Sequence, residues 1–493
     1  MGIIEKQATS NAIFSYLGAA LGAVTVFWLP HLLTTDENGL IRLLVSISTL
    51  LASFGNLGFS SVTIRFFPYF RDKEKGHHGF LFYALMVASI GFLLVAAVFL
   101  LLKSWIIESN IEKSKLFVDY LYYLMPLTFF SLFFNVFDTY LRATYSSVAG
   151  SFTKEFFQRV TILLLLAVYW FNYITFPVFI SGYIVLTCLP TLILMLYIIK
   201  QDEWHVKPVR GFLSKELRKE ILKLSMYSIV SGGAGAIIVN IDVFMVNQLL
   251  DLKQTGIYGI AFYFGTIIII PARSIYRITS SIVAEAFRHN RLDEIKELYV
   301  KTCNTQMAIG LLLFIGICSN VDNIMQILPP EYAAGKNVIL IISLGYLFEM
   351  VTGINQIIIA NSRYYKYDTY SLLLVVVLII IANYMLIPIY GISGSAMATA
   401  LTIGFYNLMR WLFIYHKFHM QPYNRNTLKL LAIAVVSFAP GLLIPYLDNL
   451  ILDIITRSAV VGGLFILLIL KTEATPDLNQ KIRKNLKRLS IRI

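Results

Sequence analysis

The chain has 493 residues, 57% of them hydrophobic and only 14% charged, with mean hydropathy +0.71. A soluble domain is about one-quarter charged and a spanning helix needs roughly 20 apolar residues, so this composition excludes a mainly soluble protein. The net charge of +13 lies in short joints between apolar stretches, where membrane topology and anionic lipid headgroups account for it, and nucleic acid is excluded as a partner.

In chain order, fourteen stretches read as membrane spans: 12–33, 41–64, 79–102, 118–140, 156–172, 176–199, 224–250, 256–279, 302–320, 337–360, 369–387, 391–415, 428–447 and 454–470. The joints between them alternate between Lys/Arg-rich and Lys/Arg-poor. Thr34–Gly39, Asn172–Thr175, Ile389–Tyr390 and Asp448–Asp453 hold no Lys or Arg; other joints carry Arg65, Arg71, Lys73 and Lys75, then Arg142, Lys154 and Arg159. Basic joints stay inside, so both termini are expected in the cytoplasm of a multi-pass protein of a bacterial inner membrane. The first apolar run, Ile13 to Leu33, is longer than a signal-peptide core and reads as the first span.

The longest basic joint, Lys200–Lys223, separates six spans from the next six. It divides the chain into an N-lobe (1–205), an amphipathic linker (206–223), a C-lobe (224–420), two further spans (421–471) and a basic tail (472–493). In the linker, Leu213, Leu217, Ile221 and Leu224 recur at helical spacing among Lys and Glu; in the tail Ile482, Leu486 and Leu489 do so among Lys and Arg. Both patterns suit helices lying on an anionic leaflet. A faint repeat links the ends of the second and eighth spans, where Ser60, Ser61, Phe67, Arg71 and Glu74 correspond to Ser280, Ser281, Phe287, Arg291 and Glu294. Each lobe holds an even number of spans, so the duplication is parallel.

Ionisable groups inside spans cost about 2.5–3.5 kcal/mol each on insertion scales and are candidates for function. Asp242 and Glu349 fall near the midplane, with Asn240 beside the first. Asp138, Arg142, Arg65, Arg273, Arg277 and Glu285 fall toward cytoplasmic ends. Two readings of the arginines stand: a cationic entrance that grips phosphate oxygens bidentately, or side chains that reach the interface and set topology. Asp242 and Glu349 read as proton or Na⁺ sites, as partners of sugar hydroxyls, or as a structural pairing. Glu285 is placed to pair with Arg288 one turn on. Gly232, Gly233 and Gly235 in the seventh span, and Pro271 in the eighth, permit bending or close helix contact. The three cysteines, Cys188, Cys303 and Cys318, lack metal-ligand spacing.

The run Phe54 to Arg71, with Gly55, Gly58 and Pro68, resembles the second span of polysaccharide exporters. Asn240 and Asp242, the run Thr255 to Ala261, Pro271, the run Phe287 to Asp293, and Gly391 to Thr399 extend the likeness. Together they resemble the multidrug/oligosaccharidyl-lipid/polysaccharide exporter superfamily, nearest the polysaccharide or O-antigen flippases. The resemblance implies an all-α fold of two six-helix lobes around a cavity that opens alternately to either side, with two extra C-terminal helices. It implies an oligosaccharide on polyprenyl pyrophosphate as substrate, no bound cofactor, coupling to H⁺ or Na⁺ and the membrane potential, and association with polysaccharide polymerases or glycosyltransferases. A monomer is the simplest assembly.

The alternatives are a drug/cation antiporter or a lipid II flippase on the same fold. A drug antiporter would want a more acidic cavity than these arginines make. An enzyme is disfavoured: D-x-D, H-E-x-x-H and G-x-x-x-x-G-K-[ST] are absent from the sequence, and the last absence excludes an ATP-driven pump.

Overall fold

A computed structural model describes residues 3–209, 212–476 and 478–480. The expected amphipathic tail at Ile482, Leu486 and Leu489 lies outside the described residues. The regular elements are helices, and no strand occurs among the described residues. The chain forms two compact units, Met1–Gly256 and Ile257–Ile493.

The first unit holds α1 (Ile3–Leu32), α2 (Thr35–Gly55), α3 (Phe59–Phe70), α4 (Phe80–Asn110), α5 (Lys115–Asp119), α6 (Leu124–Ala143), α7 (Val148–Ser151), α8 (Gln158–Trp170), α9 (Phe176–Lys200) and α10 (Lys215–Leu249). Helix α11 (Leu252–Gly265) carries the boundary. The second unit continues with α12 (Ile270–Arg288), α13 (Leu292–Ile327), α14 (Lys336–Val351), α15 (Asn355–Asn361), α16 (Tyr365–Tyr390), α17 (Ile392–Phe418), α18 (Arg425–Leu443) and α19 (Leu450–Thr472).

Twelve helical segments among the described residues are long and apolar enough to cross a membrane. The fifth and twelfth of the fourteen expected stretches are helical but not among them. Helix α8 alone has 13 residues and follows a π-helical turn at Phe152–Phe157. Helix α17 has the length, 27 residues, but mixes Arg410, Asn407, His416 and Lys417 with small residues, which dilutes its hydropathy.

Local chemistry sets the helix ends. Before α2, the Thr34 hydroxyl accepts from Glu37 N–H while the Glu37 carboxylate accepts from Thr34 N–H at 2.8 Å, a reciprocal cap. The second expected span is not one helix. Leu57 (φ 50°) and Gly58 (φ 72°) break it between α2 and α3, and Asn56 Oδ1 restarts the ladder by accepting from Ser60 N–H at 2.9 Å. The eighth is broken too. A 3₁₀ turn, Thr266–Ile269, separates α11 from α12, and Pro271 occupies the first turn of α12, where its missing N–H costs nothing.

In the first unit, α10 packs on α2 and α3. Leu213, Leu217, Ile221 and Leu224, expected to lie on the leaflet, instead pack against a core that includes Phe67, Phe70, Phe80 and Tyr140. Residues 215–223 are the opening turns of the continuous helix α10, not a separate surface helix. At the opposite end a Cβ on Gly39 would lie 2.1 Å from the Leu252 carbonyl oxygen, and one on Gly256 would lie 2.0 Å from that of Thr35. Only paired glycines allow this backbone approach. In the second unit, α13, α18 and α19 pack together, and Ile268, Ile269, Ala272 and Met350 form a small core under the α12 turn.

Candidate substrate-binding and coupling site

Helix α12 is strongly two-faced. Ala272, Thr279, Val283 and Ala286 are buried, while Arg273, Arg277, Ser280, Ser281 and Glu285 are exposed. These exposed positions recur every three to four residues along one side of the helix, with Ile278 and Ile282 exposed beside them. Arg273 lies about 10 Å along the helix inside the membrane edge expected at Ser280, at 1.5 Å per residue. Charges at that depth cost about 2.5–3.5 kcal/mol each on insertion scales unless they face water, pair or reach the interface.

Arg273 is not alone at that level. Its guanidinium and that of Arg410 on α17 act on the Glu349 carboxyl of α14, and Tyr276 feels both Glu349 and Arg410. Arg410 is 4% exposed. Its Nε donates to Asp368 Oδ1 at 2.9 Å, and its guanidinium stands 3.6 Å over the Tyr406 ring. The Tyr406 hydroxyl donates to the same Asp368 oxygen at 3.2 Å. Beside this group, Asn407 Oδ1 accepts from Thr352 Oγ1 at 2.9 Å and from Asn355 Nδ2 at 3.0 Å. Gly353 (φ 67°) breaks the chain there between α14 and α15. Around Glu349, the second unit thus sets a paired, buried cation, Arg410, beside the exposed Arg273 and a half-buried carboxyl.

The first unit treats its candidates differently. Arg65 is exposed on α3 alongside Ser61, Ile64 and Tyr69. Arg142 is ion-paired with Asp138 one turn earlier, and Gly150 lets the Asp138 carboxyl approach the backbone. Asn240 Nδ2 donates to its own helix, to Ala236 O at 2.9 Å, while the Asn240 backbone carbonyl accepts from Ser46 Oγ at 3.0 Å. Asp242 is buried and engaged by a neighbouring group. Gly232 and Gly235 sit in open space on an unbroken α10, whereas a Cβ on Gly233 would meet the Phe54 ring at 2.7 Å. Glu285 pairs with Arg291 at 3.6 Å rather than with Arg288, because the chain turns back after α12.

Sequence reasoning passed over Arg410, Asp368, Asp453 and Arg457. The arginines were findable as ionisable residues inside the twelfth and fourteenth spans; their acidic partners sit at span edges.

Residues 4–276 match the family described as Polysaccharide biosynthesis protein. The chain belongs to that family. Its fold is like that of solved flippase and transporter structures. It aligns with a structure of the lipid II flippase MurJ in an inward closed conformation at TM-score 0.73 and 15% identity, covering 96% of this chain and 99% of that one. A multidrug resistance MATE family transporter in its inward-facing conformation aligns at TM-score 0.60 and 14% identity over 82% of this chain and 94% of that one. A MOP superfamily transporter from Pyrococcus furiosus aligns at 0.54 and 15% over 84% and 96%. At these identities the likeness is one of fold. No curated protein matches the chain.

Proposed function

We propose that this family member flips a polyprenyl-pyrophosphate-linked oligosaccharide from the cytoplasmic to the outer leaflet by alternating access. The observation that carries the reading is the exposure of Arg273 and Arg277 within a helical segment long and apolar enough to cross a membrane. Guanidinium keeps its charge at any physiological pH and offers planar paired donors that fit pyrophosphate oxygens. Glu349, within electrostatic reach of Arg273, supplies the opposing charge. When pyrophosphate takes Arg273, Glu349 loses a partner and becomes the group that takes up H⁺ or Na⁺. Asp242 is the corresponding candidate in the first unit. Arg65 is the exposed cationic candidate of the first unit, while Arg142, already neutralised by Asp138, contributes less. An inside-negative potential drives the anionic headgroup outward by about 2.3 kcal/mol per charge per 100 mV.

The test is transfer of a fluorescent polyprenyl-pyrophosphate saccharide in proteoliposomes, read by quenching from the far side. Wild type moves the lipid, and Arg273→Ala/Arg277→Ala does not. Equal rates in the two proteins would remove the arginine stripe from the mechanism.

A further inference from the structure

The extra hairpin α18–α19 carries a buried charge pair that the transport reading does not use. Asp453 and Arg457 expose 1% and 4% of their side chains and meet at 2.7 Å. Asn323 Nδ2 on α13 donates to Asp453 Oδ2 at 2.6 Å, and Leu447 N–H donates to Asp453 Oδ1 at 3.1 Å. Arg457 donates to the Gly441 and Ile444 carbonyls at 2.7 and 2.9 Å. The Leu447, Gly441 and Ile444 bonds tie residues 441–447 to α19, and the Asn323 bond ties α19 to α13. Burying two charges is expensive, and such a pair contributes positional specificity more readily than stability. What it positions is the 444–449 joint, which lies between the two helices, not within the thirteenth span.

Tyr446 stands in that joint and is doubly fixed. Arg457 lies 4.4 Å from its ring centroid, and its hydroxyl donates to Asp322 Oδ2 at 3.0 Å. Asp322 is held in turn by Lys336. That hydrogen bond to a carboxylate raises the Tyr446 phenol above its ordinary value, so the hydroxyl stays protonated as a donor. Yet Tyr446 is 64% exposed. It lines an open surface pocket of about 560 Å³ with Asp322, Met325, Gln326, Leu328 and Pro330. Under the expected orientation, with basic joints inside, this end of the second unit faces the outside of the cell.

An immobilised, exposed aromatic ring, apolar walls and an exposed amide match a pyranose that presents one apolar ring face and an equatorial hydroxyl edge. We propose that this pocket is an outer-face sugar subsite, which takes a pyranose of the exported saccharide after the headgroup has crossed. The proposal rests on the flippase reading, and it gives the non-duplicated hairpin a specific task.

The test uses full-length protein in nanodiscs, titrated calorimetrically with the water-soluble saccharide released by mild acid from the host's own lipid-linked intermediate. Tyr446→Ala is expected to weaken binding by about tenfold, the weight of one good contact. Tyr446→Phe, which keeps the ring, should stay within about threefold of wild type. Gln326→Ala supplies a second probe that leaves the Asp322 brace intact, and is expected to weaken binding too. Arg273→Ala/Arg277→Ala should bind the free saccharide normally while failing to transport, which separates this site from the cationic stripe. A wild type that transports but binds no saccharide, or a Tyr446→Ala protein of unchanged affinity, would overturn the subsite and leave the flippase reading standing.

Discussion

Arg273 on α12 and Arg410 on α17 both act on Glu349 and face opposite fates. Arg410 is buried, bonded to Asp368 and stacked on Tyr406; Arg273 is exposed and shares Glu349. Removing them should therefore do different things. Arg273→Ala is expected to leave thermal stability near wild type and to cut transport by about tenfold or more, with Arg273→Lys restoring only part of it, because a point charge lacks the planar fork. Arg410→Ala strands Asp368 in a low-dielectric site and is expected to lower Tm first. A melting curve beside a flux measurement distinguishes the two. Likewise Asp453→Asn should lower Tm, whereas Asp453→Leu/Arg457→Leu should recover much of the loss, since an apolar pair removes both charges at once. If the double variant melts below the single one, the brace acts through more than its charges. The ionisable residues themselves were legible, because a charge inside an apolar run stands out. Their partnerships were not. Arg410 meets Asp368 across 42 positions of sequence, and only tertiary packing decides that meeting.

At the level of elements, glycines divide by what surrounds them. Gly39 and Gly256 let α2 and the start of α11 touch backbone to backbone, with no room for a methyl group. Gly39→Ala or Gly256→Ala is therefore expected to reduce the yield of folded, monodisperse protein on size-exclusion chromatography. Gly232 and Gly235 meet nothing within 4 Å on an intact helix, so alanine there should keep or raise Tm, by up to about 1 kcal/mol of helix propensity at each position. A transport defect in Gly232→Ala without a change in Tm would reveal a bending role that the unbroken helix does not display. Hydropathy found nearly every helix here, because apolar length is a one-dimensional signal. It missed the breaks. Gly58 ends α2 through a left-handed backbone that no periodicity encodes, and Pro271, read as an internal kink, starts a helix after a 3₁₀ turn. It also placed the Leu213–Leu224 face on lipid, because amphipathicity shows that a face is buried but not against what. A protein core took it instead.

For the whole molecule, the alternation of basic and neutral joints is the ground for the expected orientation, and the family match gives the class of protein. Orientation has its own check. In a cysteine-free background, Lys253→Cys is expected to react with a membrane-impermeant maleimide in intact cells, and Arg363→Cys only after permeabilisation. The reverse pattern would invert the protein and place the arginine stripe at the wrong entrance. The central claim is that this chain exports a lipid-linked saccharide and that Arg273 and Arg277 hold its pyrophosphate. The most direct measurement is the amount and leaflet of lipid-linked oligosaccharide in cells depleted of the protein. The account predicts accumulation on the cytoplasmic leaflet, reversed by wild type and not by Arg273→Ala/Arg277→Ala expressed at the same level. Unchanged lipid-linked saccharide, with cells newly sensitive to cationic dyes, would contradict it.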